Sequence, residues 1–137
     1  MSLDQLRETI PPYAKDLSLN LSSLAAESVL GGSTDNEFTK LAWRRDHADL
    51  NKLPIWQFAD NGGKLARALG VLDEEEGVAL RATFVVDPHN VIQHVYVTNL
   101  NVGRAPADTL RVLDALQTDE LCPCNRPAGG ETLKPAA

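Results

Sequence analysis

The sequence predicts an α/β domain, and three observations predict it. Two β-rich runs, residues 81–86 and 91–97, are joined by Asp87-Pro88-His89-Asn90, which suits a turn with Pro at its second position. Stretches with apolar residues at helical spacing flank them, notably Phe38 to Leu50 and Ala107 to Leu116. The resulting order of helix, strand, helix, hairpin, helix is the alternation that α/β domains show.

Taken in order, residues 1–30 read as helical throughout. Ser2 caps a first helix over 3–10, which Pro11 and Pro12 end. A second helix is expected over 13–30, with Leu17, Leu21, Leu24 and Val29 at near-helical spacing, and Gly31-Gly32 breaks it. Thr34 and Glu37 stand at capping-box spacing, with Asp35 adding negative charge at the start. A helix is therefore expected over 34–50, with Phe38, Leu41, Ala42 and Trp43 on its buried side. Residues 53–58 form a short apolar strand entered through Pro54. Residues 63–69 form a short helix that Gly70 stops. After the hairpin, a last helix over 107–116 carries Leu110, Val112, Leu113 and Leu116. From Thr118 onward the chain is rich in Pro and Gly and is expected to be extended or mobile. There are no internal repeats.

Composition narrows the function classes. The 137 residues fit one domain, and 43% of them are hydrophobic but only 5% aromatic, so Leu, Val and Ala must make the core. Thirteen basic against nineteen acidic residues give a net charge of -6, which argues against a nucleic-acid backbone or an anionic membrane as partner. Apolar runs such as 83–86 are far too short to span a bilayer. The N-terminal residues are amphipathic and charged with no apolar signal core, so a cytoplasmic protein is expected. No cofactor is expected.

Cysteine placement is the sharpest chemical feature. Both cysteines lie in Leu121-Cys122-Pro123-Cys124-Asn125, and none precedes them. Two closely spaced thiols do not make a disulfide framework of the secreted kind. They also make a poor metal site: Cys-x-Cys has no matching second pair, and His47, His89 and His94 are scattered, so no metal is expected. A Cys122–Cys124 disulfide would close a very small, strained ring, which favours an intermolecular disulfide on oxidation.

Four segments then fall in a familiar order: Ser-Thr-Asp-Asn-Glu-Phe (33–38), Arg-Ala-Thr-Phe-Val-Val-Asp-Pro (81–88), Asn-Val-Gly-Arg (101–104) and Leu-Cys-Pro-Cys-Asn-Arg (121–126). With them, residues 33–135 resemble the C-terminal half of a 2-Cys peroxiredoxin of the alkyl hydroperoxide reductase C type. The resemblance implies a partial thioredoxin-like (peroxiredoxin) fold behind an N-terminal helical leader. It divides the chain into a leader (1–32), a half-domain (33–117) and a resolving-cysteine tail (118–137). Residues 1–30, with Pro-Pro-Tyr-Ala-Lys-Asp-Leu and Leu-Asn-Leu-Ser-Ser-Leu, are similar to the N-terminal helices of alkylhydroperoxidase D. A junction near Val29-Leu30-Gly31 gives the chain the look of a chimera.

The same resemblance assigns roles. Arg81, which the residues alone read as a charge opening a strand, matches the arginine beside the peroxidatic thiolate, where a guanidinium stabilises the anion. Cys122 matches the resolving cysteine and Cys124 a neighbouring thiol. Arg104, otherwise a loop charge near Asp108, matches an arginine bordering the active site. The peroxidatic cysteine of the family lies in Pro-x-x-x-Thr-x-x-Cys, and this sequence contains no such motif. A hydroperoxide substrate and a thiol reductant are implied, with little turnover expected from this chain alone. The competing reading is a non-catalytic module, self-associating or paired with an intact peroxiredoxin, to which it supplies a resolving cysteine. A thioredoxin-like sheet without its first strands is also expected to leave a hairpin edge and an apolar face uncovered.

Overall fold

A computed structural model describes residues 29–52 and 55–134, so the helices expected over 3–10 and most of 13–30 lie outside the described residues. The described chain begins with β1 (Leu30–Ser33), where a helix end and a glycine break were expected. Gly31 and Gly32 instead belong to a strand that crosses the expected 32/33 boundary. β1 pairs in parallel with β2 (Trp56–Ala59), Leu30 opposite Trp56 and Gly32 opposite Phe58. The pairing explains the glycine: a Cβ on Gly32 would fall 2.1 Å from the Phe58 ring. Gly31 is different, with nothing nearer than 3.8 Å to its notional Cβ.

Parallel strands need a crossover, and α1 (Glu37–Asp46) with α2 (Ala48–Lys52) supplies it. The start of α1 is capped by Asn36, not Thr34. Asn36 has extended backbone, and its Oδ1 accepts from the Thr39 amide (2.8 Å) and the Thr39 hydroxyl (3.0 Å). The expected box fails because the chain is still leaving β1 at Thr34, three residues before the helix begins. Ser33 instead donates its hydroxyl to Asp35 (2.8 Å) and accepts from the Lys40 ammonium. Partial burial lowers the Lys40 pKa, and Asp35 pulls it back up.

The single helix expected over 34–50 is two helices. His47 turns extended (φ -112°, ψ 110°) between them, its amide still bonded to Trp43 O at 3.1 Å. Arg44 ties α1 forward to the Ile55 carbonyl, just before β2, at 2.9 Å. The expected buried side of α1 is also corrected. No residue of α1 is buried; Phe38 is 73% exposed, and Leu41 and Trp43 are exposed too. The apolar stripe exists, but among the described residues no layer covers it.

The buried residues gather where β2 ends. Ala59, Leu65, Ala66 and Val71 form the apolar core, with Asp60 buried among them at 4% exposure. The Asp60 amide donates to Ser33 O (2.9 Å), closing the β1–β2 ladder. Its carboxylate accepts from the amides of Leu65 (3.0 Å) and Ala66 (2.8 Å), so it holds the start of α3 (Lys64–Ala68). A short hairpin follows, β3 (Leu72–Asp73) with β4 (Val78–Ala79), which the sequence reading did not anticipate. Asp73 Oδ1 organises its turn by accepting from the Glu75 and Glu76 amides, both at 3.1 Å.

The hairpin read from sequence is present: β5 (Arg81–Val86) and β6 (Ile92–Thr98) pair antiparallel, from Arg81 opposite Thr98 to Val86 opposite Ile92, with an irregularity between Val85 and Val86. Its turn depends on Asp87. That carboxylate accepts from the amides of His89 (2.8 Å) and Val91 (2.9 Å) and from the Gln93 side chain (2.7 Å). Asn90 takes the left-handed position (φ +70°) that asparagine tolerates. Finally α4 (Pro106–Gln117) opens with Pro at its first turn and packs against β5. Among the described residues, no helix is long and apolar enough to cross a membrane.

The described strands thus make three separate two-stranded sheets, and Trp56, Val95 and Val97 remain exposed on them. Two outcomes test this description. Gly32→Ala should destabilise the chain by about 1–3 kcal/mol through overpacking against Phe58, while Gly31→Ala stays within ~0.5–1 kcal/mol of the parent in urea titrations. Asp87 gives a pH signature. Its amide and side-chain partners, Val91 foremost, hold its pKa below the usual 3.8, so its contribution is complete above that value and is lost as pH falls through the lower folded value. The stability gap between the parent and Asp87→Asn should therefore be constant near neutrality and close in strong acid, as followed by circular dichroism.

Candidate functional site

The residues singled out for chemistry fall in two places. Arg81 opens β5, and its Nε donates to Leu100 O at 3.3 Å. Arg104 lies in the loop before α4, and its Nη1 donates to Ala82 O at 3.3 Å. Ala82 follows Arg81 directly, so the two arginines share one end of the hairpin and are both exposed there. The loop between them is shaped by Asn99, whose carbonyl accepts from the Val102 amide (3.0 Å), while the Thr98 hydroxyl donates to Val102 O (3.2 Å). Two guanidinium groups at one rim, each committed to a single carbonyl among the described residues, keep further N–H donors for an anion or a polar oxygen.

The cysteines lie beyond the other end of α4. That helix has 12 residues, about 18 Å at 1.5 Å per residue. Among the described residues, no hydrogen bond or ion pair joins either cysteine to Arg81 or Arg104. The structure brings the arginines together and the thiols together, and does not bring the two groups to one another.

The tail that carries the thiols is not extended. It folds back on the end of α4. The Thr118 hydroxyl bonds Ala115 O (2.8 Å) and accepts from the Glu120 amide (3.2 Å), turning the chain out of the helix. Cys122 then sits half-buried, its Sγ 3.6 Å from Glu120 O, 3.7 Å from Thr118 Oγ1 and 3.9 Å from Ala115 O. Cys124, two residues on, is exposed. Asp119 and Asn125 bracket the pair in left-handed backbone (φ +52° and +58°), which Asp and Asn accept more readily than most residues. The return is completed by Leu133 N bonding Leu121 O at 2.7 Å and by the Thr132 hydroxyl donating to Glu120.

Arg126 was not singled out from sequence, and it is what closes this segment. It is 5% exposed, its Nη1 lies 2.5 Å from Asp114 Oδ2, and the same oxygen accepts from the Gly129 amide at 2.9 Å. The Gly129 amide first, and then Arg126, hold the Asp114 carboxyl below its ordinary pKa. The composition of the tail hid this, because Pro and Gly read as freedom when the constraint comes from an acid twelve residues earlier. The available signal was a lone Arg in a Pro- and Gly-rich stretch with an acid late in the preceding helix. Among the described residues no three His, Cys, Asp or Glu side chains converge in a way that could hold a metal ion.

Comparison with known proteins places this geometry. Residues 11–95 match the AhpC/TSA family. The chain belongs to the AhpC/TSA family. That match begins at residue 11, within the segment also read as an alkylhydroperoxidase D-like leader. The AhpC/TSA chain is 52% identical over 105 residues to alkyl hydroperoxide reductase C of Mycolicibacterium smegmatis, covering 77% of this chain and 53% of that protein. Peroxiredoxin TSA1 of Saccharomyces cerevisiae is 44% identical over 114 residues, covering 78% of this chain and 58% of the other. Among solved structures, Mycobacterium bovis AhpC superposes with a TM-score of 0.65 at 50% identity, over 72% of this chain and 54% of that one. The reduced 2-Cys peroxiredoxin of Plasmodium vivax superposes with a TM-score of 0.69 at 30% identity, over 80% and 60%. The fold is therefore the partial thioredoxin-like fold of a peroxiredoxin. This AhpC/TSA chain spans about half the length of the curated relatives it matches.

The two thiols differ in access and in the contacts that hold them, which gives a direct measurement. With each cysteine singly present, Cys124 should react with a dipyridyl disulfide about tenfold faster than Cys122 at neutral pH, because Cys122 must leave its contacts at the helix end first.

Proposed function

We propose that this chain supplies the second thiol of a two-thiol peroxide-reducing cycle. In the cycle, a peroxidatic thiolate on another AhpC/TSA polypeptide attacks a hydroperoxide. An S–O bond forms, the O–O bond breaks, and the alkoxide leaves as an alcohol once protonated. The Cys122 sulfur then attacks the resulting sulfenic acid. An S–S bond forms, and water carries away the hydroxyl with the thiol proton. A dithiol reductant takes the disulfide back to two thiols by exchange. A reducing, cytoplasmic setting suits such a cycle.

The observation that carries this reading is the placement of Cys122 in a chain of this family: a thiol held at a helix end, in a folded segment, with Cys124 open beside it. Arg81 and Arg104 have the complementary role, as donors that would face the peroxidatic thiolate and the peroxide oxygens. Their separation from Cys122 along α4 supports a cycle completed between polypeptides, either copies in an assembly or an intact peroxiredoxin. The sequence offers no thiol other than Cys122 and Cys124.

Alone with dithiothreitol and tert-butyl hydroperoxide, the chain should turn over at least about a thousandfold more slowly than an intact AhpC, since the nucleophile is the group whose loss costs most. Mixed with intact AhpC and the same peroxide, it should form a mixed disulfide seen on non-reducing gels. Cys122→Ser should abolish that band and Cys124→Ser should keep it. The reading fails if no mixed disulfide forms, or if Cys124→Ser alone removes it.

A further inference from the structure

The thiol segment is closed by an ion pair whose energetics are one-sided. Asp114 stands near the end of α4 and Arg126 twelve residues later, beyond both cysteines. Arg126 is buried, while the Asp114 side chain keeps 37% of its surface. The guanidinium reaches Asp114 through Nη1 at 2.5 Å, and its buried Nε has no hydrogen-bond partner among the described residues. Among the described residues, one carboxylate therefore compensates the buried cation. That same carboxylate also fixes the Gly129 amide, so the acid on the helix grips the tail at two points, one of them main chain. The Arg126 amide in turn bonds Pro123 O at 3.3 Å, inside the Cys-Pro-Cys turn. The grip is thus transmitted to the residue between the thiols.

We propose that Asp114 and Arg126 are positioning residues, a latch that sets the access of Cys122. With the pair closed, the segment from Leu121 to Leu133 lies on the helix end and Cys122 Sγ rests among Glu120 O, Thr118 Oγ1 and Ala115 O. With it open, a buried guanidinium without a counter-charge is unfavourable, so Arg126 moves to water and carries the turn with it. Cys122 then becomes as open as Cys124. The latch takes its biological purpose from the proposed role of Cys122 and to that extent rests on it. It is measured on thiol access alone, so either can fail without the other.

The test compares dipyridyl-disulfide labelling of Cys122 and Cys124, each in the background lacking the other thiol, at one neutral pH. Asp114→Asn keeps the size and removes the charge. It should raise the Cys122 rate to within about twofold of Cys124, with the Cys124 rate unchanged. Asp114→Glu, which restores the carboxylate, should return most of the difference. In the pair Asp114→Asn with Arg126→Met no buried cation remains, and Cys122 should be more protected than in Asp114→Asn alone. An unchanged Cys122 rate in Asp114→Asn overturns the latch, as does an equal rise at both cysteines in a chain that is still folded.

Should Asp114→Asn unfold the whole chain, the parent protein decides. Hydrogen exchange of the Gly129 amide and labelling of Cys122 must then report the same opening equilibrium, within about threefold. A Gly129 amide that exchanges freely while Cys122 stays protected overturns the proposal.

Discussion

Asp60 joins the two halves of the described core with its own atoms. Its amide completes the parallel ladder on Ser33, and its two carboxylate oxygens each take one amide at the start of α3. A carboxylate buried this deeply is unfavourable unless its oxygens are matched, and here both are. The apolar residues that share the burial are its neighbour Ala59 and the two residues whose amides it holds, Leu65 and Ala66, with Val71 beyond. The end of the β1–β2 ladder and the start of α3 thus meet at one residue, the first through its main chain and the second through its carboxylate. Gly32 adds the steric half of the constraint, since only a residue without a Cβ lets Phe58 lie across β1.

The same logic recurs at the other end of the chain with a different result. Asp114 also uses a carboxylate to gather main-chain and side-chain donors, but its partners come from a segment with no regular structure. At Asp60 the donors belong to a helix and the arrangement is fixed by packing. At Asp114 the arrangement rests on a single carboxylate oxygen that takes one main-chain amide and one guanidinium. A chain of this size therefore contains a rigid acid-centred joint next to the sheet and a conditional one next to the thiols.

Much of this was legible from local pattern. The β5–β6 hairpin and α4 were readable because alternation, a Pro turn and helical spacing act within a few residues. β1 was not, because Gly-Gly is written in the language of breaks and only the facing Phe58 explains it. The cap of α1 was misplaced by two residues, since Thr34 and Asn36 both suit a cap and the end of β1 decides between them. The stripe of Phe38, Leu41 and Trp43 was read correctly as apolar, but burial needs a second layer that no pattern within the stripe can show. The roles proposed for Cys122, Arg81 and Arg104 rest on resemblance, not on spacing. The fold of the tail was invisible because its determinants are twelve residues apart.

The closure between Leu121 and Leu133 has a geometric consequence for encounter with another molecule. Were the chain free after Thr118, four extended residues would let Cys122 sweep a radius of about 13 Å around the helix end. Tied back at Leu133, the thiol is confined to a small volume fixed to the axis of α4. In the proposed cycle, a sulfur on another polypeptide meets the closed segment at that spot in a defined orientation. What is lost in capture radius is gained in local concentration once the two surfaces meet.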